Sequence, residues 1–200
     1  AQVLLDRIVR ERLLTATGVY GFWPAASEGD DIVVYRDREH TGELVRFNLL
    51  RQQEAIADRK ANLSLADFIA PRAALDGGRS DYLGAFAVTA GIGADALAQT
   101  FERELDDYSA ILVKALADRF AEAFAAYLHQ QSRQAWGIDE AKSVDDVHHE
   151  THRGIRPAFG YPACPDHSEK FKLFELLGAA EVGIALPERA AMQPAASGRG

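Results

Sequence analysis

The sequence predicts an α+β fold: an antiparallel sheet of about four strands, with helices segregated from it, one of them long and amphipathic. Three observations carry this. The apolar runs Val19–Trp23, Ile32–Tyr35 and Leu44–Leu49 are separated only by turn-forming segments. Such short connections suit an antiparallel meander and cannot hold a parallel crossover. Beyond Ala94, apolar side chains recur every three or four positions as far as about Arg133, the period of an amphipathic helix.

The elements follow in order. Residues 1–15 place Val3, Leu4, Ile8, Leu13 and Leu14 near one helical face, with Gly18 as the stop. Val19–Trp23 reads as a buried strand closed by Pro24, and Ser27–Asp30 as a turn. Ile32–Tyr35 is β-branched, Arg36–Gly42 is a second turn, and Leu44–Leu49 is the third strand. Ser64 caps a short helical turn through Leu65, Phe68 and Ile69 that ends at Pro71. Asp76-Gly77-Gly78 breaks the chain before Tyr82–Thr89, a central strand whose Gly84, Ala85 and Ala87 allow close packing. In the long helix, Leu97, Phe101, Leu105, Tyr108, Leu112, Leu116, Phe120, Phe124 and Tyr127–Leu128 form the apolar stripe, with room for a break, and Gly137 ends it. A further helix is expected over 143–152. A last one starts with Asp166 as cap and Glu169 completing a capping box, turns Phe171, Phe174 and Leu177 inward, and stops at Gly178.

Composition narrows the function. Two hundred residues, 48% apolar and 26% charged, suffice for one domain with a real core or at most two small ones. The net charge of −8 argues against nucleic acid or an anionic membrane as partner, since both attract basic surface. A single cysteine excludes an internal disulfide and fits a cytoplasmic location. No run approaches a membrane span, and the charged, helical first residues are no signal peptide. Residue 1 already lies in a helical pattern and the tail lacks a closing element, so the chain is expected to be part of a longer polypeptide.

One segment resists an ordinary folding account. Residues 153–167 hold three prolines, two glycines, two arginines and the only cysteine, with neither helical nor strand periodicity. Such a loop is fixed by its surroundings, and is either a ligand site or a proline-rich connection. Cys164 precedes Pro165 near a helix start, where a thiolate is favoured, but a small buried hydrophobe is the commoner role. His148, His149, His152, Cys164 and His167 lie close in sequence, yet their spacing matches no strong zinc motif. An exposed polar helix end accounts for the histidines, and no metal is expected. Gly91-Ile92-Gly93 lacks the third glycine of a dinucleotide fingerprint. Arg156, between Ile155 and Pro157, suits bidentate pairing with a carboxylate. Glu150, Asp166 and Glu122 are available for a cationic group. A structural ion pair for Arg156 remains equally open on these grounds.

Residues 156–167, Arg-Pro-Ala-Phe-Gly-Tyr-Pro-Ala-Cys-Pro-Asp-His, resemble the signature of the S-adenosylmethionine-binding activation domain of cobalamin-dependent methionine synthase. Gly18–Pro24 with Gly29-Asp30-Asp31-Ile32, Leu65-Ala66-Asp67-Phe68, Asp81–Thr89 and Lys114–Arg119 look like the same family, in the family's order and over nearly the whole chain. The resemblance implies a twisted antiparallel sheet with surrounding helices, in one activation-type domain over residues 1–200 cut at both ends. It implies a reactivation module that presents S-adenosylmethionine so that cob(II)alamin is reductively methylated to methylcobalamin. The cobalamin would sit in a cobalamin-binding domain of the same polypeptide, and a flavodoxin-type partner would supply the electron. The residue roles are also carried by resemblance. Arg156 would bind the methionyl carboxylate, and Pro157 and Ala158 would border the ligand with backbone hydrogen bonds. Gly160 and Tyr161 would shape the pocket, and Glu122 and Glu150 occupy the acidic positions. No catalytic residue is implied, because methyl transfer to cobalt(I) releases no proton and the protein's task is positioning. Two further walls of the family's pocket are expected outside residues 1–200: an upstream segment with an aspartate, and a downstream strand with aromatic residues. The alternative is a docking domain for a cobalamin domain or flavodoxin with a degenerate pocket. A zinc-dependent hydrolase built on the His and Cys residues is the third reading.

Overall fold

The computed structural model describes residues 1–54, 61–138 and 155–199. Five strands form one sheet in the order β3-β2-β1-β4-β5: β1 Thr15–Glu28, β2 Asp31–Tyr35, β3 Glu43–Asn48, β4 Asp81–Ile92 and β5 Ser197–Arg199. The helices are α1 Gln2–Glu11, α2 Ala94–Arg103, α3 Asp107–Trp136 and α4 Lys170–Leu177, with short 3₁₀ turns at Leu65–Phe68, Arg72–Gly77 and Ala179–Val182. The chain divides into two compact units. The first comprises residues 1–19, 87–152 and 179–199, and the second residues 20–86 and 153–178. Among the described residues no helix is long and apolar enough to cross a membrane.

The second unit contains the expected meander. β1 pairs antiparallel with β2, from Ala25↔Val34 to Glu28↔Asp31, and β2 pairs antiparallel with β3. Ile32, Val33 and Val34 are fully buried, so the β-branched run covers both faces of its strand. Each such side chain contributes about 1.5–3 kcal/mol. β1 is much longer than the run Val19–Trp23 and does not close at Pro24. Pairing with β2 begins only at Ala25, so the N–H that proline lacks is not needed by that ladder. Ser64 caps its 3₁₀ turn as expected: its side chain serves the turn, and its own N–H donates to Asp67 Oδ2 at 2.9 Å.

The first unit packs α1 and α2 on α3. Leu4 and Ile8 join Ala98, Phe101, Ala110, Val113 and Ala117 in one buried cluster. α1 stops at Glu11, earlier than the sequence suggests, because Arg12 turns left-handed with φ 52° and the β-branched Thr15 already belongs to β1. Gly18 therefore ends no helix. It clears space, since a Cβ there would stand 2.8 Å from Val88 Cγ1.

The long helical pattern is broken, at Leu105, where φ is 60°. Asp106 then caps α3 by accepting the Ser109 N–H at 2.9 Å. The buried stripe of α3 is Ala110, Val113, Ala117, Ala121 and Ala125. The larger residues expected there flank it, and Leu105 and Tyr108 are 90% and 70% exposed. Small residues let β5 approach closely: a Cβ on Gly198 would be 3.4 Å from that of Ala125. β5 itself was not legible, because Ser-Gly-Arg has no strand pattern. It is a strand through its ladder with β4, Thr89↔Ser197 to Ala87↔Arg199, and through Thr89 Oγ1, which donates to Ala196 O at 2.9 Å. Gly137 and Gly178 end α3 and α4 in the left-handed conformation, as expected. The helix expected over 143–152 lies outside the described residues.

Candidate functional site

The site is built on the irregular loop 155–167 of the second unit. Its backbone closes on itself. The Tyr161 N–H donates to Ala158 O at 3.1 Å, the Cys164 N–H to Tyr161 O at 2.9 Å, and the Gly160 N–H to Cys164 O at 2.8 Å. Tyr161 and Cys164 form an isolated antiparallel bridge. The turn demands glycine at 160, where φ is 97° and an added Cβ would strike the His167 ring at 2.5 Å. Tyr161 next to it is 62% exposed, so its ring is presented to solvent.

Two supports fix the loop's place. The Leu65 N–H donates to Ala163 O at 2.8 Å, tying the loop to the Ser64-capped turn. That turn is held in its place by Arg51, which grips both Asp67 oxygens at 2.7 and 2.8 Å and also pairs with Asp30 at 2.8 Å. The bonds from Arg51 chiefly hold the Asp67 carboxyl below the usual aspartate value, against the opposing effect of burial and with help from the Ser64 N–H. Beneath the loop, Pro157, Phe159 and Cys164 cover an apolar cavity of about 40 Å³ shared with Ile32, Phe47 and Leu83. That is room for little more than a water molecule, too small for a metabolite.

Arg156 sits beside this turn. Its Nε is shielded from solvent, and its Cζ lies 5.9 Å from the centroid of the Phe86 ring. A guanidinium resting on an aromatic face is favourably placed and keeps its orientation, which bidentate recognition of a carboxylate requires.

The model of the vitamin B12-dependent methionine synthase activation domain family matches residues 1–200. The chain belongs to this family. Its fold is also that of a solved relative, a crystal structure described as the MetH reactivation domain bound to AdoHcy. That structure is 46% identical with a TM-score of 0.90, and the match covers 100% of this chain and 61% of the other. The chain thus spans less than two thirds of that relative's length.

In this activation domain the expected site residues fall into three groups. Arg156, Pro157, Ala158, Gly160 and Tyr161 are brought together on one loop of one unit. Glu122 belongs to the other unit, on the exposed side of α3, where it pairs with Arg119 at 2.7 Å. Glu150 lies outside the described residues, as do His148, His149 and His152. Among the described residues no group of three His, Cys, Asp or Glu side chains could hold a metal ion. Cys164 is 2% exposed, the buried hydrophobe of the two roles weighed for it.

The entry to α4 departs from expectation. Glu169 takes the cap position without a side-chain cap bond. Its carboxylate turns instead to β3, accepting the Asn48 N–H at 3.1 Å and pairing with Lys172 at 2.9 Å. Asp166 accepts the Ser168 N–H at 2.8 Å, and bonds from Ser168 chiefly hold its carboxyl below the usual value. Phe171 faces outward, while Leu173, Phe174 and Leu177 are buried. The carboxylate thus joins Asn48 of β3 to Lys172 of its own helix rather than serving the helix N-terminus.

Sequence reasoning missed two residues that shape the loop. Phe86 is seventy positions from Arg156 and carried no local signal. His167 entered only as a candidate metal ligand, whereas its ring packs on Gly160.

Proposed function

We propose that this chain binds S-adenosylmethionine on the loop 155–167 and presents its methyl group for reductive methylation of cob(II)alamin held by a cobalamin domain of the same polypeptide. The observation that carries this reading is the relative bound to AdoHcy, the demethylated form of that ligand, at 46% identity over the whole of this chain. The loop's chemistry fits the ligand. The fork of Arg156, steadied on Phe86, matches a methionyl carboxylate. The exposed ring of Tyr161 can face a sulfonium cation through its π surface. Pro157 and Ala158 border the same surface, and Gly160 keeps it free of a side chain.

When bound, S-adenosylmethionine supplies the methyl group, and the cobalamin supplies the nucleophilic metal after one-electron reduction. The chain's own part is binding and orientation. Arg156 holds one end of the ligand, and the Ala158–Tyr161 turn sets the height of the reacting end. A flavodoxin-type protein in the cytoplasm is the electron donor in this reading.

The test uses the full polypeptide that carries this chain, with its cobalamin in the cob(II) state. Supplied with a reductant and S-adenosylmethionine labelled in the methyl group, it is expected to gain label and the absorption of methylcobalamin. Unlabelled cobalamin after reduction, in protein shown to be folded, counts against the reading.

A further inference from the structure

We propose that His167 is a positioning residue of the ligand loop: its imidazole is the surface on which the Gly160 turn closes, and so it sets where Tyr161 and Arg156 stand toward an S-adenosyl ligand. The inference rests on the ligand reading above and adds a residue to it.

The geometry at Gly160 carries the argument. Its φ of 97° lies where side chains are strained. A Cβ placed there would be 2.5 Å from both Cε1 and Nε2 of His167, and 3.5 Å from Nδ1. One edge of the ring therefore already occupies the space of a side chain at 160. A side chain at 160 would force this exposed ring to move, in addition to the strain of the turn.

The position of His167 in the chain makes this contact consequential. The three backbone bonds of residues 158–164 tie the loop to itself. His167 ties it to α4, at whose entrance it stands, with its carbonyl accepting the Lys170 N–H at 3.3 Å. α4 is anchored by the buried Leu173, Phe174 and Leu177. The ring thus sets an irregular turn against the residue at which the chain enters a packed helix. Tyr161 follows Gly160 directly, and the Ala158 carbonyl that holds Tyr161 is two residues from Arg156. A loop held this way is ready for its ligand, and one released from α4 must be ordered on binding.

The experiment titrates AdoHcy calorimetrically into the full polypeptide that carries this chain and into its His167 variants. His167→Ala is expected to weaken binding by about tenfold, as a small misplacement of binding groups does. Cys164, buried beneath the same turn, is expected to react faster with a thiol reagent in that variant. His167→Phe keeps a flat ring and restores both readouts. His167→Asn withdraws the ring and repeats the loss, which covers an alanine variant that does not fold. Wild-type affinity and unchanged Cys164 reactivity in the alanine and asparagine variants overturn this inference alone. Absence of AdoHcy binding by the wild type overturns the ligand reading instead.

Discussion

The β1–β2–β3 meander and the loop 155–167 belong to the same compact unit, and they are held by opposite means. The meander is a ladder of repeated backbone pairs over a buried β-branched run. Its surface charges, Arg46 with Glu28, Asp31 and Glu43, are partly exposed, and such pairs contribute little. The loop has only three backbone bonds within it. Its shape is set by individual contacts rather than a repeating ladder: a ring on Gly160, a carbonyl at Ala163, an aromatic face under Arg156. In the first region the core sets stability and most outer residues are replaceable. In the second, one atom added in the wrong place changes the site while the fold survives.

The sharpest way to break this comparison is Gly160→Ala. Its methyl meets the His167 ring, so AdoHcy affinity is expected to fall by more than about a hundredfold while the circular dichroism stays that of the folded chain. A loss below threefold would show the turn to be as tolerant as the meander's surface.

Val33→Ala is the converse. Val33 is fully buried against Ala26 and Tyr35, so the loss of two methyl groups is expected to cost about 2 kcal/mol in urea unfolding. AdoHcy affinity should stay within about twofold of the wild type, since folded molecules keep the loop. A large loss of affinity would mean that the two regions are not separable.

Asp67→Asn lies between the regions and has the smallest effect. It removes an acceptor that serves both Arg51 and the Ser64 N–H, and about 1 kcal/mol of stability is expected to go with the cap. The sign of its pH dependence follows from the lowered carboxyl value. A depressed folded value stabilises fully above the unfolded value and is lost as pH falls through the folded one. The wild type should therefore lose stability below about pH 4 more steeply than Asp67→Asn. Parallel acid limbs would contradict that pairing.

The same contrast explains what was legible in the sequence. Ile32–Val34, the Ser64 cap and the glycines at 137 and 178 act through local chemistry, and they could be placed from neighbouring residues alone. The resemblance at Arg156–His167 located the loop, yet not its mechanics. The contact of Arg156 with Phe86 and the ladder of β5 with β4 join residues far apart in sequence, and no short-range pattern encodes them. The alanine stripe of α3 was missed for another reason: apolar periodicity marks the large residues, whereas close packing selected the small ones. Glu169 looked like a cap because its spacing from Asp166 is that of a capping box, but Asn48 and Lys172 made the stronger claim on its carboxylate.

The central claim is that Arg156 on this loop recognises the carboxylate of an S-adenosyl ligand. Calorimetric titration of AdoHcy into the wild type and Arg156→Ala tests it most directly. One-to-one binding is expected, weakened by at least about thirtyfold in the variant, the loss for a charged bidentate partner. Equal affinity in the two proteins, or no binding by the folded wild type, would contradict it.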